Sequence, residues 1–147
     1  MRVVVQRTTG AEVWINNGLY SRTASGLLLL VGTKVGDTEE SCAFLADKVV
    51  NLRIFEDSHG KMNLAALDVG AEIMIVSQFT LYADTKKGRR PSFTEAMEPI
   101  EAERLYNRFV ELVRASGLVV QTGVFGARMD VKFTNNGPVT IILEHEV

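Results

Sequence analysis

Apolar and polar positions near the start of the chain predict a series of strands. Residues 3–8 and 11–15 are rich in β-branched side chains, which favour extended backbone. Asn16-Asn17-Gly18 predicts a hairpin turn, because Asn and Gly tolerate positive φ, and residues 19–23 would form the return strand. The unbroken apolar run from Gly26 to Val31 indicates a strand that is buried on both faces.

Two segments have helical spacing. The first follows Asp37-Thr38, which offers N-caps, and Glu39-Glu40, which suits the positive end of a helix dipole. Its apolar face is formed by Cys42, Leu45, Val49 and Leu52. The second helix is predicted from about Ile100 to Ser116, and Gly117 fits its C′ position.

The remaining strands are predicted over 53–56, 72–77, 118–122, 129–134 and 139–143, with 78–82 continuing the strand at 72–77. A turn at 135–138 would separate the last two strands. The helices do not alternate regularly with the strands, so a doubly wound nucleotide fold is excluded. The pattern favours an α/β fold of the α+β kind, with a mainly antiparallel or mixed sheet, two helices and one domain over residues 1–147.

Composition and charge narrow the class of protein. The chain has 147 residues, 46% of them hydrophobic, which suits one globular core. The net charge of −2 argues against broad, non-specific nucleic-acid binding, although Lys86, Lys87, Arg89 and Arg90 form a local basic run. One cysteine, no signal-like N-terminus and no membrane-length apolar stretch lead us to expect a cytoplasmic protein.

The usual catalytic motifs are missing from the sequence. His59 and His145 have no Cys, Asp or Glu at metal-ligand spacing, and we interpret both as surface residues. Cys42 lies on the apolar face of a helix and is interpreted as a core residue. Without a metal, cofactor or recognisable nucleophile and base, an enzyme of this sequence would perform an easy reaction by positioning and backbone dipoles. Hydrolysis of an activated ester is such a reaction.

Three segments are unusual. Residues 77–84 place polar Ser77, Gln78 and Thr80 at the end of an apolar strand, and residues 136–140 contain Gly137-Pro138. Residues 123–129 carry Phe125 and Met129 around a glycine-bearing loop. Each has an ordinary interpretation: a strand end, a β-turn and core side chains. The third also suits a flat pocket in which an adenine stacks.

Together these segments resemble the D-aminoacyl-tRNA deacylase family. Gln6-Arg7, residues 61–64 (KMNL) and residues 88–93 (GRRPSF) also resemble that family and occur in the expected order. Each motif alone is weak, but the ordered set is specific and spans nearly the whole chain.

The resemblance implies a small α/β domain with a barrel-like core that works as a homodimer, with its active site at the dimer interface. Ser77, Gln78, Phe79 and Thr80 would line the catalytic pocket of one subunit. Gly137-Pro138, cis in the family, would enter from the other subunit, held by Arg7. Phe125 and Met129 would receive the terminal adenosine.

The resemblance also implies the substrates. The carbonyl groups of the Gly-Pro element would face the substrate's α-carbon and exclude an L side chain, so that D-aminoacyl-tRNA and glycine mischarged on alanine tRNA are hydrolysed. Backbone N–H groups near Phe79 and Thr80 would polarise the ester for attack by water, assisted by the ribose 2′-hydroxyl. A nucleophilic Thr80 is the less favoured mechanism, because no base is evident.

Two further points stay open at the level of sequence. Lys86, Lys87, Arg89 and Arg90 either contact tRNA phosphates or form a solvated loop. The chain is alternatively a nucleic-acid-binding module without catalysis, or a non-catalytic small-molecule-binding dimer. Turnover of charged tRNA separates the enzyme from both.

Overall fold

A long bent strand organises the molecule. In the computed structural model, which describes residues 1–146, β1 (Arg2–Ile15) is followed by β2 (Gly18–Thr23) and β3 (Gly26–Gly32). The β1–β2 connection is the predicted hairpin, and both central residues have positive φ, 50° at Asn16 and 65° at Asn17.

Helices and shorter strands follow. The helices are α1 (Glu39–Asn51), α2 (Ala66–Val69) and α3 (Pro99–Arg114), with a 3-10 helix at Phe79–Tyr82. The remaining strands are β4 (Phe55–Glu56), β5 (Met62–Leu64), β6 (Glu72–Ser77), β7 (Val120–Thr122) and β8 (Asp130–Glu144). No helix within residues 1–146 is long and apolar enough to cross a bilayer.

The main sheet is mixed and curls towards closure. Its order is β2-β1-β3-β6-β7, and β8 pairs with β1. The β3–β6 and β6–β7 pairs are parallel, whereas β1 pairs antiparallel with β2, β3 and β8. The Ser21 hydroxyl of β2 donates to the Thr122 carbonyl of β7 at 2.7 Å, so the two ends of the sheet approach each other. The mixed α/β fold with a barrel-like sheet is thus confirmed.

Two apolar cores lie on opposite faces of this sheet. The larger core packs α1 and α3 against one face, and its fully buried members include Leu45, Leu105 and Phe109. The smaller core lies on the other face and consists of Ala11, Val13, Leu28, Met74 and Val76. Because β3 and β6 contribute to both cores, they are buried on both faces, as the run from Gly26 to Val31 predicted.

Several predicted elements were wrong in detail. Residues 78–82 do not continue β6 but form the 3-10 helix. Residues 135–138 lie within β8, and residues 136–139 bulge from its pairing with β1, in which Gln6 pairs with Thr140 and Thr8 with Asn135. Residues 3–8 and 11–15 likewise belong to a single strand. The short helix α2 was not predicted, and the Thr38 N-cap makes no side-chain capping bond. Helix α3 ends at Arg114, two residues earlier than predicted, which places Gly117 beyond the C′ position.

Candidate active site

A cavity opens where β6 ends. It has a volume of about 630 Å³ and is lined by the end of β6 with the residues after it, the start of α3, and the loop before β8. Of the residues predicted for a site, the structure brings five together here: Ser77, Gln78, Phe79, Phe125 and Met129.

The polar corner of the cavity is shaped by a sharp change of direction after Ser77. The Gln78 N–H donates to the Val31 carbonyl at 2.8 Å, and the chain then turns into the 3-10 helix. Gly32 permits this close approach, because a Cβ at that position would lie 3.0 Å from the Gln78 carbonyl oxygen and from Leu81 Cβ. The turn presents Phe79 and Thr80 at the surface, Phe79 with 57% of its side chain exposed.

Two backbone donors follow this corner: the N–H of Phe79, which lines the cavity, and that of Thr80, which is not among the lining residues. The first N–H groups of a helix have no intrahelical acceptor, and within residues 1–146 neither the Phe79 nor the Thr80 N–H has a hydrogen-bond partner. The Gln78 side-chain amide donates to the Thr80 hydroxyl, which ties the two side chains together. Paired free N–H groups at a helix start suit the negative oxygen of a tetrahedral ester adduct.

Among the described residues that line the cavity, none offers a free general base. Glu98 supplies the only carboxylate among the described residues that line the cavity. Its oxygens accept the N–H groups of Ile100 at 3.1 Å and Glu101 at 2.7 Å, so it serves as the N-cap of α3. The lining residues include no histidine or cysteine.

The apolar end of the cavity is built by aromatic and thioether side chains. Phe125 packs on Tyr106 with ring centroids 5.8 Å apart, and the Tyr106 hydroxyl donates to the Ile75 carbonyl at 2.9 Å. Burial raises the pKa of Tyr106, so this hydroxyl stays protonated and fixes the ring below Phe125. The Val124 N–H lies 3.4 Å from the Met129 sulfur, which holds the loop closed.

Phe93 lines the same cavity and was not given a role from sequence. Its ring meets that of Phe79 edge to face, with centroids 5.0 Å apart. Phe93 belongs to the GRRPSF segment of residues 88–93, so the signal was present but carried no indication of where the side chain lies. Met97 and Pro99 at the start of α3 also line the cavity, and no sequence motif marks them.

The Gly-Pro element lies elsewhere in the single chain. The Gly137–Pro138 bond is cis and both residues are exposed. On β8, Gly137 is six residues from Val131, which lines the cavity; fully extended strand would span about 20 Å over that distance. Gly137 and Pro138 are not among the lining residues of this cavity.

Arg7 anchors the backbone just before this element. Its side chain is buried, and the guanidinium donates from Nε to the Asn136 carbonyl at 2.9 Å and from Nη1 to the Ile54 carbonyl at 2.8 Å. Glu56 Oε1 lies 3.8 Å from Arg7 Nη2, so its carboxylate partly balances the charge of the guanidinium. Arg7 therefore fixes the position of residues 136–138 relative to β1.

The basic loop (residues 84–91) borders the cavity through its return segment. Asp84 and Ser92 form an isolated antiparallel bridge, which closes the loop one residue before Phe93. Residues 85–90 are all exposed. Lys86, Lys87, Arg89 and Arg90 make no salt bridge within residues 1–146, so their charges face solvent.

The other chemically interesting side chains serve structural roles. Cys42 is buried, its Sγ lies 3.3 Å from the Leu105 carbonyl, and burial raises its pKa to about 11. His145 was expected at the surface but is half-buried, with Nδ1 3.1 Å from the Ser41 hydroxyl and its ring against Phe44. Among residues 1–146, no three His, Cys, Asp or Glu side chains are arranged to hold a metal ion.

Comparison with known sequences identifies one family. The profile of the family described as D-Tyr-tRNA(Tyr) deacylase matches residues 4–144. A D-aminoacyl-tRNA deacylase of Bacillus velezensis is 54% identical over 144 residues, covering 98% of this chain and 98% of that protein. One of Thermomicrobium roseum is 55% identical over 144 residues, covering 98% of this chain and 94% of that protein.

Solved structures give the same fold. The c-Myc DNA Unwinding Element Binding Protein is similar with a TM-score of 0.94 and 40% identity, covering 100% of both chains. A structure described as a probable eukaryotic D-amino acid tRNA deacylase is similar with a TM-score of 0.85 and 21% identity, covering 97% of both chains. At that lower identity the likeness supports the fold alone.

Proposed function

Because this chain belongs to the D-Tyr-tRNA(Tyr) deacylase family, and is thus a hydrolase of the aminoacyl-tRNA ester bond, we propose that it proofreads translation in the cytoplasm. It hydrolyses D-aminoacyl-tRNA, and glycine mischarged on alanine tRNA, to free tRNA and free amino acid. L-aminoacyl-tRNA is spared. The observation that carries the proposal is a pair of consecutive N–H groups without partners within residues 1–146: that of Phe79, which lines a cavity with an aromatic far end, and that of Thr80, the next residue.

The chemical step uses these donors rather than a protein nucleophile. The ester carbonyl oxygen accepts the N–H groups of Phe79 and Thr80, and water attacks the carbonyl carbon. The neighbouring ribose 2′-hydroxyl assists the departure of the 3′-oxygen. Among the described lining residues, the only carboxylate is that of Glu98, and its engagement as a helix cap supports a mechanism without a protein general base.

The terminal adenosine occupies the apolar end. Phe125 and Met129 present a ring and a polarisable sulfur to the base, and both are positioned by contacts behind them. Ser77 and Gln78 line the polar corner between the base and the ester. The amino acid then lies beside Phe79.

Selection against L-amino acids requires a second copy of the chain. Gly137 and Pro138 project from β8, the edge strand, far along it from the cavity that their own chain forms. On the same strand Phe133 and Ile142 are exposed, with 38% and 62% of their surface accessible, which suits burial against a partner. In a symmetric homodimer each Gly-Pro element enters the other subunit's cavity and crowds the position of an L side chain.

Gly137→Ala tests this selector. Gly137 has φ of 139°, and a Cβ there would lie 2.8 Å from Val139 Cγ2 and 3.2 Å from Arg7 Nη2, so the element must shift. We expect the variant to lose activity on D-Tyr-tRNA or to cleave L-Tyr-tRNA as well. Wild-type rates on both esters, with circular dichroism unchanged, would contradict the proposal.

Mixed dimers test whether the site is shared. Ala127→Trp fills the adenosine end of one cavity, whereas Gly137→Ala damages the selector. If Gly137→Ala abolishes turnover of D-Tyr-tRNA, co-refolding the two chains gives about half heterodimers, each with one complete site, so roughly one quarter of the wild-type activity returns. Activity no greater than that of the two homodimers would place the selector within one subunit.

The basic loop contacts phosphates of the acceptor stem. Lys86, Lys87, Arg89 and Arg90 are exposed and without ion pairs beside the cavity rim, which supports this role over that of a solvated loop. Replacing all four by Gln should make the dependence of log affinity on log salt concentration less steep, by about 0.9 in slope for each lost phosphate contact. An unchanged slope would contradict this role and would indicate that the loop is only a solvated part of the surface.

Non-catalytic nucleic-acid binding is a second candidate function. The protein that shares this fold at 40% identity is named for binding a DNA element, so the fold is compatible with such a role. Tight tRNA binding without any turnover of its D-aminoacyl ester would favour this candidate.

A further inference from the structure

A second, smaller depression adjoins the adenosine end of the cavity. Its volume is about 250 Å³, and it is lined by Trp14, Asn16, Asn17, Arg128, Met129 and Asp130. Met129 lines both the depression and the main cavity, so the two sites are adjacent across one side chain. The proposed function assigns no role to the smaller one.

Trp14 is held in place on the outer face of β1. It alternates with the buried Val13, and it pairs in register with Asp130 of β8. Lys132 Nζ lies 4.5 Å from the centre of the indole ring, and the indole N–H donates to Glu12 Oε1 at 3.3 Å. The ring is therefore half-buried and fixed, which lowers the entropic cost of stacking a ligand on it.

The charges around the ring favour an anion, because Arg22, Lys132 and Arg128 outnumber Glu12 and Asp130. Arg22 binds Glu12 at 2.7 Å and neutralises that carboxylate. Arg128 lies at the rim, is exposed, and makes no salt bridge within residues 1–146. An aromatic face beside an unpaired guanidinium is the combination by which proteins hold single-stranded nucleotides.

We propose that Trp14 and Arg128 bind the cytidine that precedes the terminal adenosine of the substrate tRNA. The base stacks on Trp14, and the phosphate that joins the two nucleotides contacts Arg128. The inference rests on the proposed function, because adenosine against Met129 is what places its 5′ neighbour in the adjoining depression. The small volume suits a pyrimidine ring, and the subsite would orient the ester towards the N–H groups of Phe79 and Thr80.

The single tryptophan of the chain makes this directly observable. The purified protein is titrated with the dinucleotide CpA, with the reversed dinucleotide ApC and with adenosine monophosphate, and the tryptophan fluorescence is followed. We expect CpA to quench the emission and to bind at least about five-fold more tightly than adenosine monophosphate. A stacked base contributes about 1–3 kcal/mol, and the lower figure corresponds to about five-fold in affinity. Equal affinity for the three ligands, or binding of CpA without any change in emission, would overturn the proposal.

Kinetics separate this subsite from the main site. Trp14→Leu and Arg128→Gln are assayed on D-Tyr-tRNA and on the minimal substrate 3′-D-tyrosyl-adenosine. The matched control is Arg108→Gln, which removes an exposed arginine of α3 that pairs with Glu111 and does not line either depression. We expect KM for D-Tyr-tRNA to rise about five-fold or more in the two variants with kcat nearly unchanged. The minimal substrate and the control should be unaffected.

Each other outcome has a distinct meaning. Unchanged KM for D-Tyr-tRNA in both variants would overturn the subsite while leaving the proposed function intact. Equal losses on both substrates would also overturn it, since the substitutions would then act on the main cavity. If the wild-type protein cleaved neither substrate, the proposed function would fail, and the CpA titration would still decide whether the subsite exists.

Discussion

Thr80 is the residue at which two catalytic mechanisms diverge. Its hydroxyl accepts a hydrogen bond from the Gln78 amide, an interaction that orients the oxygen but removes no proton from it. Its backbone N–H, by contrast, has no hydrogen-bond partner within residues 1–146 and directly follows Phe79, which lines the cavity. We therefore expect the main chain of Thr80, rather than its side chain, to take part in the reaction.

Thr80→Ala keeps both backbone donors and removes the hydroxyl. We expect it to retain more than about one tenth of the wild-type kcat on D-Tyr-tRNA, since the stabilisation of the oxyanion comes from N–H groups. Single-turnover rates measure this directly, with Thr80→Val as a variant of matched shape. A fall of about 1,000-fold or more, with folding and tRNA binding intact, would instead support a nucleophilic Thr80.

Cys42 provides a test at a residue far from the chemistry. Burial raises its pKa from an ordinary 9.0 to about 11, so the native thiol is protonated and inaccessible at neutral pH. We expect no reaction with Ellman's reagent at pH 7.5 unless urea is added, and no loss of activity. Rapid labelling of the native protein would contradict the buried position of this thiol.

The raised pKa of Cys42 also makes the stability of the protein depend on pH. The folded protein holds the Cys42 proton more tightly than the unfolded chain, so this stabilisation is complete below pH 9 and is lost as pH rises towards about 11. The difference in unfolding free energy between wild type and Cys42→Ala should therefore shrink over that window. A difference that stays constant from pH 8 to 11 would argue that the thiol is exposed.

At the scale of elements, the sequence predicted the regular parts and misjudged two junctions. Gly26 to Val31, the Asn16-Asn17 hairpin and both long helices follow from periodicity and turn residues. Residues 135–138 were expected to form a turn because proline cannot donate to a sheet ladder. β8 continues beyond them instead, because residues 136–139 bulge out of the ladder: Gln6 of β1 pairs with Thr140 and Thr8 pairs with Asn135, so Pro138 faces no ladder position that needs a donor.

The second junction is the one that forms the site. Residues 78–82 carry side chains that are typical of strands, so the local sequence pattern predicted that β6 continues through them. Pairing with β3 ends where Val31 meets Ser77, and β7 has already ended opposite Ile75, so no ladder continues. The residue at which each partner strand ends depends on tertiary structure and cannot be predicted from local sequence. The N–H groups that lack partners as a result were expected only through the family resemblance.

Gly123→Ala tests the loop that carries the adenosine end. A Cβ at Gly123 would lie 2.5 Å from the Met129 sulfur, and the flexible thioether must move aside. We expect a small loss of stability, about 1 kcal/mol, together with a several-fold higher KM for D-Tyr-tRNA. Thermal denaturation and steady-state kinetics measure the two effects. An unchanged KM would show that Met129 does not contact the base.

At the scale of the whole molecule, a single chain contains all the proposed site residues but does not bring them together in one site. The cavity, its free donors and its aromatic end lie together, while Gly137 and Pro138 lie well along β8 and are held there by Arg7. The order of motifs in the sequence predicts which residues matter, yet it cannot show which of them share a subunit. We propose that a single polypeptide of this fold hydrolyses the ester poorly and without regard to chirality, and that a homodimer supplies the discrimination.

Chiral discrimination is therefore the most direct test of the account. Purified protein is incubated with matched D-Tyr-tRNA and L-Tyr-tRNA in the presence of a chelator, and the remaining ester is followed over time. The account predicts rapid loss of the D ester at enzyme concentrations that leave the L ester at its spontaneous rate. Loss of neither ester would contradict the enzymatic function, and equal loss of both would contradict a selector built from Gly137 and Pro138.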